Sequence, residues 1–182
     1  MRLGITLPAI HGISDPKYQK IVGMLLSLCE KHDCYFIMQA RYDKPQLLAY
    51  AGDRVDKKKV LYFNEEVDVW FEFMHTLDFL VSTRIHGGMS GISNEVPTVI
   101  IPTDLRILEL VNAMKLPHIS FDDAIGKDFT SLDEIMEAAG RDFIAFEVNR
   151  RNRLKEYKRM LGSVGLEMDP VLLDIILDEE TV

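Results

Sequence analysis

Strand-length apolar runs alternate with segments of helical apolar spacing along the first two thirds of this chain, and that alternation constrains the fold more than any other feature. Leu3 to Leu7 is a short apolar run closed by Pro8. Tyr18 to Lys31 then carries Ile21, Val22, Leu25, Leu26, Leu28 and Cys29 at helical spacing, with Ser14 or Asp15 as a cap and Pro16 in the first turn. Cys34 to Ala40 reads as a strand covered on both faces, Pro45 to Gly52 as a short helix and Lys59 to Phe63 as a third strand. Asp68 to Leu77 predicts a helix and Asp78 to Thr83 a fourth strand. A small-residue helix over Gly87 to Asn94 leads to a fifth strand at Pro97 to Ile101. A helix over Leu105 to Met114 precedes a sixth strand at Pro117 to Phe121.

This order predicts an α/β fold, a doubly wound parallel sheet of about six strands. Right-handed crossovers then bring the C-terminal ends of all strands to one edge, where ligands bind. After Phe121 the pattern turns helical, at Ser131 to Ala139, Phe143 to Leu161 and Pro170 to Leu177. The expected organisation is therefore an α/β domain over residues 1–125 and a helical extension over 126–182 packed on it. In the long helix, Leu154, Tyr157 and Leu161 are the expected buried stripe beneath a solvated basic face.

Composition narrows the partners. Acidic residues outnumber basic ones, 29 to 21, for a net charge of −8, which argues against nucleic acid because phosphate backbones reward clustered cations. No apolar run approaches the ~18 residues of a membrane helix, and the N-terminal residues lack the pattern of a signal peptide, so a cytoplasmic protein is expected. Cys29 and Cys34 lack the spacing of a zinc site and read as free thiols. No ligand cluster for a metal or organic cofactor appears.

The chemistry concentrates after the fourth strand. Ser82 and Thr83 end that strand, and Arg84 and His86 follow on the turn at its C-terminal end. A helix N-terminus there offers unpaired N–H groups and partial positive charge, an anion site. Gly87 and Gly88 would let the backbone approach a ligand closely. Arg84 adds a planar fork matched to phosphate or carboxylate, and His86 a proton exchangeable near neutral pH. Read from residues alone, the pair equally suits a helix-capping arginine and a histidine bonded to a backbone carbonyl. Asp104 and Arg106 follow the next strand and face the same edge, while Arg106 and Glu109 are also spaced for an intrahelical pair. His75 and His118 read as packing residues, and His11 as a loop histidine.

The run Thr83-Arg84-Ile85-His86-Gly87, followed by Pro97, Asp104, Arg106, Glu109 and Leu110 in EVPTVIIPTDLRILELVNAMKLP, resembles the signature region of the polysaccharide pyruvyl transferase family. The likeness is specific over Phe63 to Pro117 and loose before it. It implies a Rossmann-like donor-binding domain, the C-terminal half of a fold like that of glycosyltransferase-B enzymes. It implies transfer of a pyruvyl group from phosphoenolpyruvate to the hydroxyls of a glycan acceptor of a cell-surface polysaccharide or exopolysaccharide. No cofactor is implied. Carried over, Arg84 and His86 are the catalytic pair, and Thr83, Arg84, Gly87, Gly88, Asp104, Arg106 and Glu109 bind substrate. Members of the family are about twice as long, so a missing N-terminal half or another chain is the implied partner. A transferase using a nucleotide-sugar donor, with Glu109 on the ribose, and a non-catalytic half-enzyme that binds an anion or a partner are the other readings.

Overall fold

The computed structural model describes residues 1–8, 15–62, 66–140, 143–171 and 173. Five parallel strands form one sheet: β1 (Arg2–Thr6), β2 (Asp33–Met38), β3 (Val60–Tyr62), β4 (Phe79–Ser82) and β5 (Thr98–Ile100), in the spatial order β3-β2-β1-β4-β5. Between them run α1 (Pro16–Leu28), α2 (Asp43–Ala51), α3 (Val67–Met74) and α4 (Ile85–Ser93). After β5 come α5 (Leu105–Met114), α6 (Phe121–Gly126), α7 (Leu132–Ala138) and α8 (Phe143–Ser163). Helices cover both faces of the sheet, so the fold is the expected doubly wound one. Asp15 is the N-cap of α1 through its side chain, with Pro16 in the first turn, the pairing expected from a rigid φ where no N–H is needed.

The strands alternate strictly between two cores, as period-2 side chains must. On one face Leu3, Ile5, Phe36, Met38, Val81 and Val99 pack against Ile21, Leu25 and Leu28 of α1 and against Leu132 and Ile135 of α7. On the other, Ile37 and Leu80 meet Met74 and Leu77 at the end of α3, and Ile100 meets Ile107 and Val111 of α5. Between these two patches the second face is lined by small or hydroxylated residues: Gly4, Thr6, Ser82 and Thr98 all lie in the strands under α4.

The expected sixth strand is reduced to one bridge, Ile100 to His118. Two hydrogen bonds hold it, from Ile100 to the Pro117 carbonyl (3.0 Å) and from Ile119 back to Ile100 (3.0 Å). The chain then leaves the sheet because Ser120 caps a helix: its hydroxyl accepts from Asp123 N–H and donates to the Asp123 carboxylate at 2.7 Å. This N-cap starts α6 at the next residue.

The stripe expected along α8 is not buried. Leu154 and Leu161 are half-exposed and Tyr157 is 44% exposed. The first half of α8 docks, with Phe146 against the α5 core and Asn149 donating to the Ala113 carbonyl at 3.1 Å. Of the last expected helix, Pro170, Val171 and Leu173 are helical, and the rest lies outside the described residues. Among the described residues no helix is long and apolar enough to cross a membrane.

Candidate functional site

The parallel order places β1 and β4 side by side at the point where the sheet changes winding direction, and ligands bind beyond the strand ends at such a point. Hydroxyls knit the two ends together. Thr6 and Ser82 share a hydrogen bond of 2.6 Å, Thr83 donates to the Thr6 carbonyl at 2.9 Å, and Ser82 donates to the Arg84 carbonyl at 2.6 Å. Arg84 is therefore held in an extended conformation as the N-cap residue of α4, and its side chain turns back over the strand ends.

That side chain is pinned from two sides. Nε donates to the Leu7 carbonyl at 2.7 Å, and one terminal nitrogen donates to Asp43 Oδ2 at 2.6 Å. Asp43, the first residue of α2, is only 1% exposed, against 20% for Arg84. Burying a carboxylate at that depth without a partner would be costly, and the arginine supplies the partner. Among the described residues Asp43 Oδ1 nevertheless has no hydrogen-bond partner, and neither does Gln39 Nε2, also buried, just beyond β2.

A cleft of about 200 Å³ opens at this edge, and Thr83, Arg84, His86, Asp104 and Arg106 all line it. The strand-end rule thus brings together five of the residues expected from the sequence. Gln39 and Thr103 line it as well. His86 is exposed at its mouth. The first turns of α4 and α5 both border the cleft, each bringing the positive end of its helix dipole. Asp104 serves as the cap of α5, accepting from Ile107 N–H at 2.9 Å, and its other oxygen lies 3.5 Å from the Arg106 guanidinium. Arg106 thus pairs backwards with Asp104, and Glu109 sits on the exposed surface of α5 away from the cleft lining.

Gly87 and Gly88 lie buried and outside the cleft lining, and the structure gives them a packing role. A Cβ on Gly88 would stand 2.7 Å from Ile100, and one on Gly91 2.5 Å from both Leu80 and Thr98. A Cβ on Gly87 would meet Thr6 at 2.6 Å and Gln39 Nε2 at 2.7 Å. The glycines bring α4 down onto the sheet, so the backbone approach expected at a ligand is made to strands instead. His118 is part-buried and bonded to the Leu116 carbonyl (2.8 Å), whereas His75 is exposed at the C-cap of α3 and packs into no core. His11 lies outside the described residues.

Three polar members of the site, Gln39, Asp43 and Thr103, were missed in the sequence. Gln39 and Asp43 follow β2 in the run MQARYD, and the same crossover rule that singled out Arg84 also carries that loop to this edge. An acidic residue just beyond a fully apolar strand was the available signal. Among the described residues no group of three or more His, Cys, Asp and Glu side chains could hold a metal ion. No model of a known protein family matches the chain, and no curated protein matches it either.

Proposed function

We propose that this domain is the donor-binding half of a polysaccharide pyruvyl transferase-like enzyme, taking phosphoenolpyruvate at the cleft between β1 and β4. The observation that carries the reading is the convergence of a pinned guanidinium, an exposed imidazole and two helix N-termini on one cleft at the strand ends. An anionic donor suits the guanidinium fork and the helix ends. His86 sits where a proton can be exchanged with a bound molecule. In the reaction a proton adds to the methylene carbon of phosphoenolpyruvate, leaving cationic character on the adjacent carbon. One sugar hydroxyl attacks that carbon and releases its proton. The bond to phosphate then breaks with release of inorganic phosphate, and a second hydroxyl of the same sugar closes the ketal, giving up its proton to a base. The steps need an acid and a base but no redox partner.

A nucleotide-sugar donor is the weaker reading, because the carboxylate it relies on for the ribose, Glu109, lies away from the cleft. Calorimetric titration with phosphoenolpyruvate tests the proposal. Arg84→Lys keeps a charge for Asp43 but loses the fork, and it should weaken binding by at least about tenfold. With the acceptor half supplied, His86→Ala should bind donor nearly as well while turnover falls about 10²–10⁴-fold. Equal donor affinity in the wild type and Arg84→Lys would reject the assignment.

A further inference from the structure

Gln39 occupies an unusual place. It follows β2, lines the cleft beside Arg84 and His86, and its amide nitrogen tucks beneath the first turn of α4, in the space left by the missing side chain of Gly87. Within the described residues its carboxamide makes no hydrogen bond, and its nitrogen is buried. A few residues on, the fully buried Asp43 also keeps one carboxylate oxygen without a partner among the described residues. Folded proteins satisfy nearly all such groups, because a buried donor left unpaired forfeits its hydration with nothing in return. Uncompensated polar groups persist where function keeps them. A methionine would fill the same volume with no polar atom, so packing alone does not explain a glutamine here.

Resting on the anionic-donor reading above, we infer that Gln39 is a ligand-contacting residue whose amide donates to an oxyanion oxygen of the molecule in the cleft. The last torsion of a glutamine is a soft one, so a turn of the carboxamide carries the nitrogen from beneath Gly87 to the cleft. Asp43 acts differently. It is sealed from the cleft and bonded to Arg84, so it is a positioning residue that fixes the guanidinium Gln39 works beside. Together they define an oxyanion subsite with one neutral and one charged donor.

The experiment compares wild type with Gln39→Met, using inorganic phosphate and phosphoenolpyruvate as separate probes. Calorimetry should show affinity reduced about tenfold or more in the variant. Its melting temperature in the absence of ligand should be equal to or above that of wild type, since an unsatisfied donor has been removed. In wild type, the Gln39 side-chain amide resonances should shift during a phosphate titration, a readout that requires no variant to fold. Unchanged affinity in the variant, or amide resonances that stay still while Arg84→Lys still weakens binding, would overturn the role of Gln39 and leave the donor assignment standing. A lower melting temperature with unchanged affinity would identify a purely structural glutamine. Binding of phosphate but not phosphoenolpyruvate would refute the proposed donor, with Gln39 then judged on phosphate. Binding of neither would refute both.

Discussion

Removing Arg84 should damage the fold before it tells anything about chemistry, and the size of the damage follows from its partner. Asp43 is 1% exposed, and among the described residues its only hydrogen bond to another side chain runs to Arg84, at 2.6 Å. In Arg84→Ala that carboxylate stays buried with neither oxygen paired, and breaking a buried pair from one side costs about 3–5 kcal/mol. For a domain of this size each kcal/mol lowers the melting temperature by about 2–4 °C, so a fall of about 6–20 °C is expected. Asp43→Ala should cost less, about 1–3 kcal/mol, because Arg84 is 20% exposed and keeps its bond to the Leu7 carbonyl. The double variant Arg84→Met/Asp43→Leu should be more stable than Arg84→Ala alone, since no charge is then left behind. Urea unfolding followed by far-ultraviolet circular dichroism of Arg84→Ala, Asp43→Ala and the Arg84→Ala/Asp43→Ala double variant measures the coupling. Single effects that add to within about 0.5 kcal/mol would refute the claim that the pair acts as a unit.

Other consequences are independent of that pair. Gly91→Ala should destabilise by about 1–3 kcal/mol, because its Cβ would lie 2.5 Å from Leu80 and Thr98. Gly23→Ala, inside α1 with nothing within 4 Å of the new atom, should stabilise by about 0.5–1 kcal/mol; chemical unfolding compares the two. Glu134 accepts from Thr130 N–H at 2.7 Å, and that bond holds its carboxyl below the usual glutamate range. A lowered folded value means its contribution is present above the ordinary glutamate range and lost as pH falls through the folded value, so Glu134→Gln should flatten the acid limb of a melting-temperature profile. The Cys34 thiol is pushed well up by its hydrogen bond to Cys29 and by burial, so iodoacetamide should label the half-exposed Cys29 first, as read by mass spectrometry of peptides.

The alternation of apolar runs was enough to place β1 to β5 and the edge at which Arg84, His86, Asp104 and Arg106 gather, because connection rules need only element order. What it could not resolve was competition at element ends. Pro117 to Ile119 does pair with the sheet, but Ser120 is a helix N-cap that the strand reading overlooked, and a local cap outcompeted a one-sided edge pairing. The glycines after His86 suit both a ligand cradle and a close helix–sheet contact. Only the residues beneath them, Thr6, Leu80, Thr98 and Ile100, distinguish the two, and those come from other strands. Asp43 is 41 residues from Arg84 and was illegible for the same reason. The α8 stripe failed because helical periodicity says which side chains share a face, not whether anything in the chain covers it.

The local charges at the cleft bear on how it would hold an anion. Arg84 is matched by Asp43 and Arg106 by Asp104, so the two guanidinium groups bring little net charge of their own. Attraction must then come from direction. Two bonds fix the plane of the Arg84 guanidinium, and its remaining terminal nitrogen makes no hydrogen bond within the described residues. The rotamer entropy that an arginine gives up on meeting a ligand has already been lost in folding, which leaves more of each hydrogen bond to appear as affinity. The helix ends add fixed dipoles that need no reorganisation. A site built this way selects for geometry over charge. Because the Arg84 pair is largely shielded from solvent, salt should weaken its hold on a ligand less than it would that of an exposed arginine.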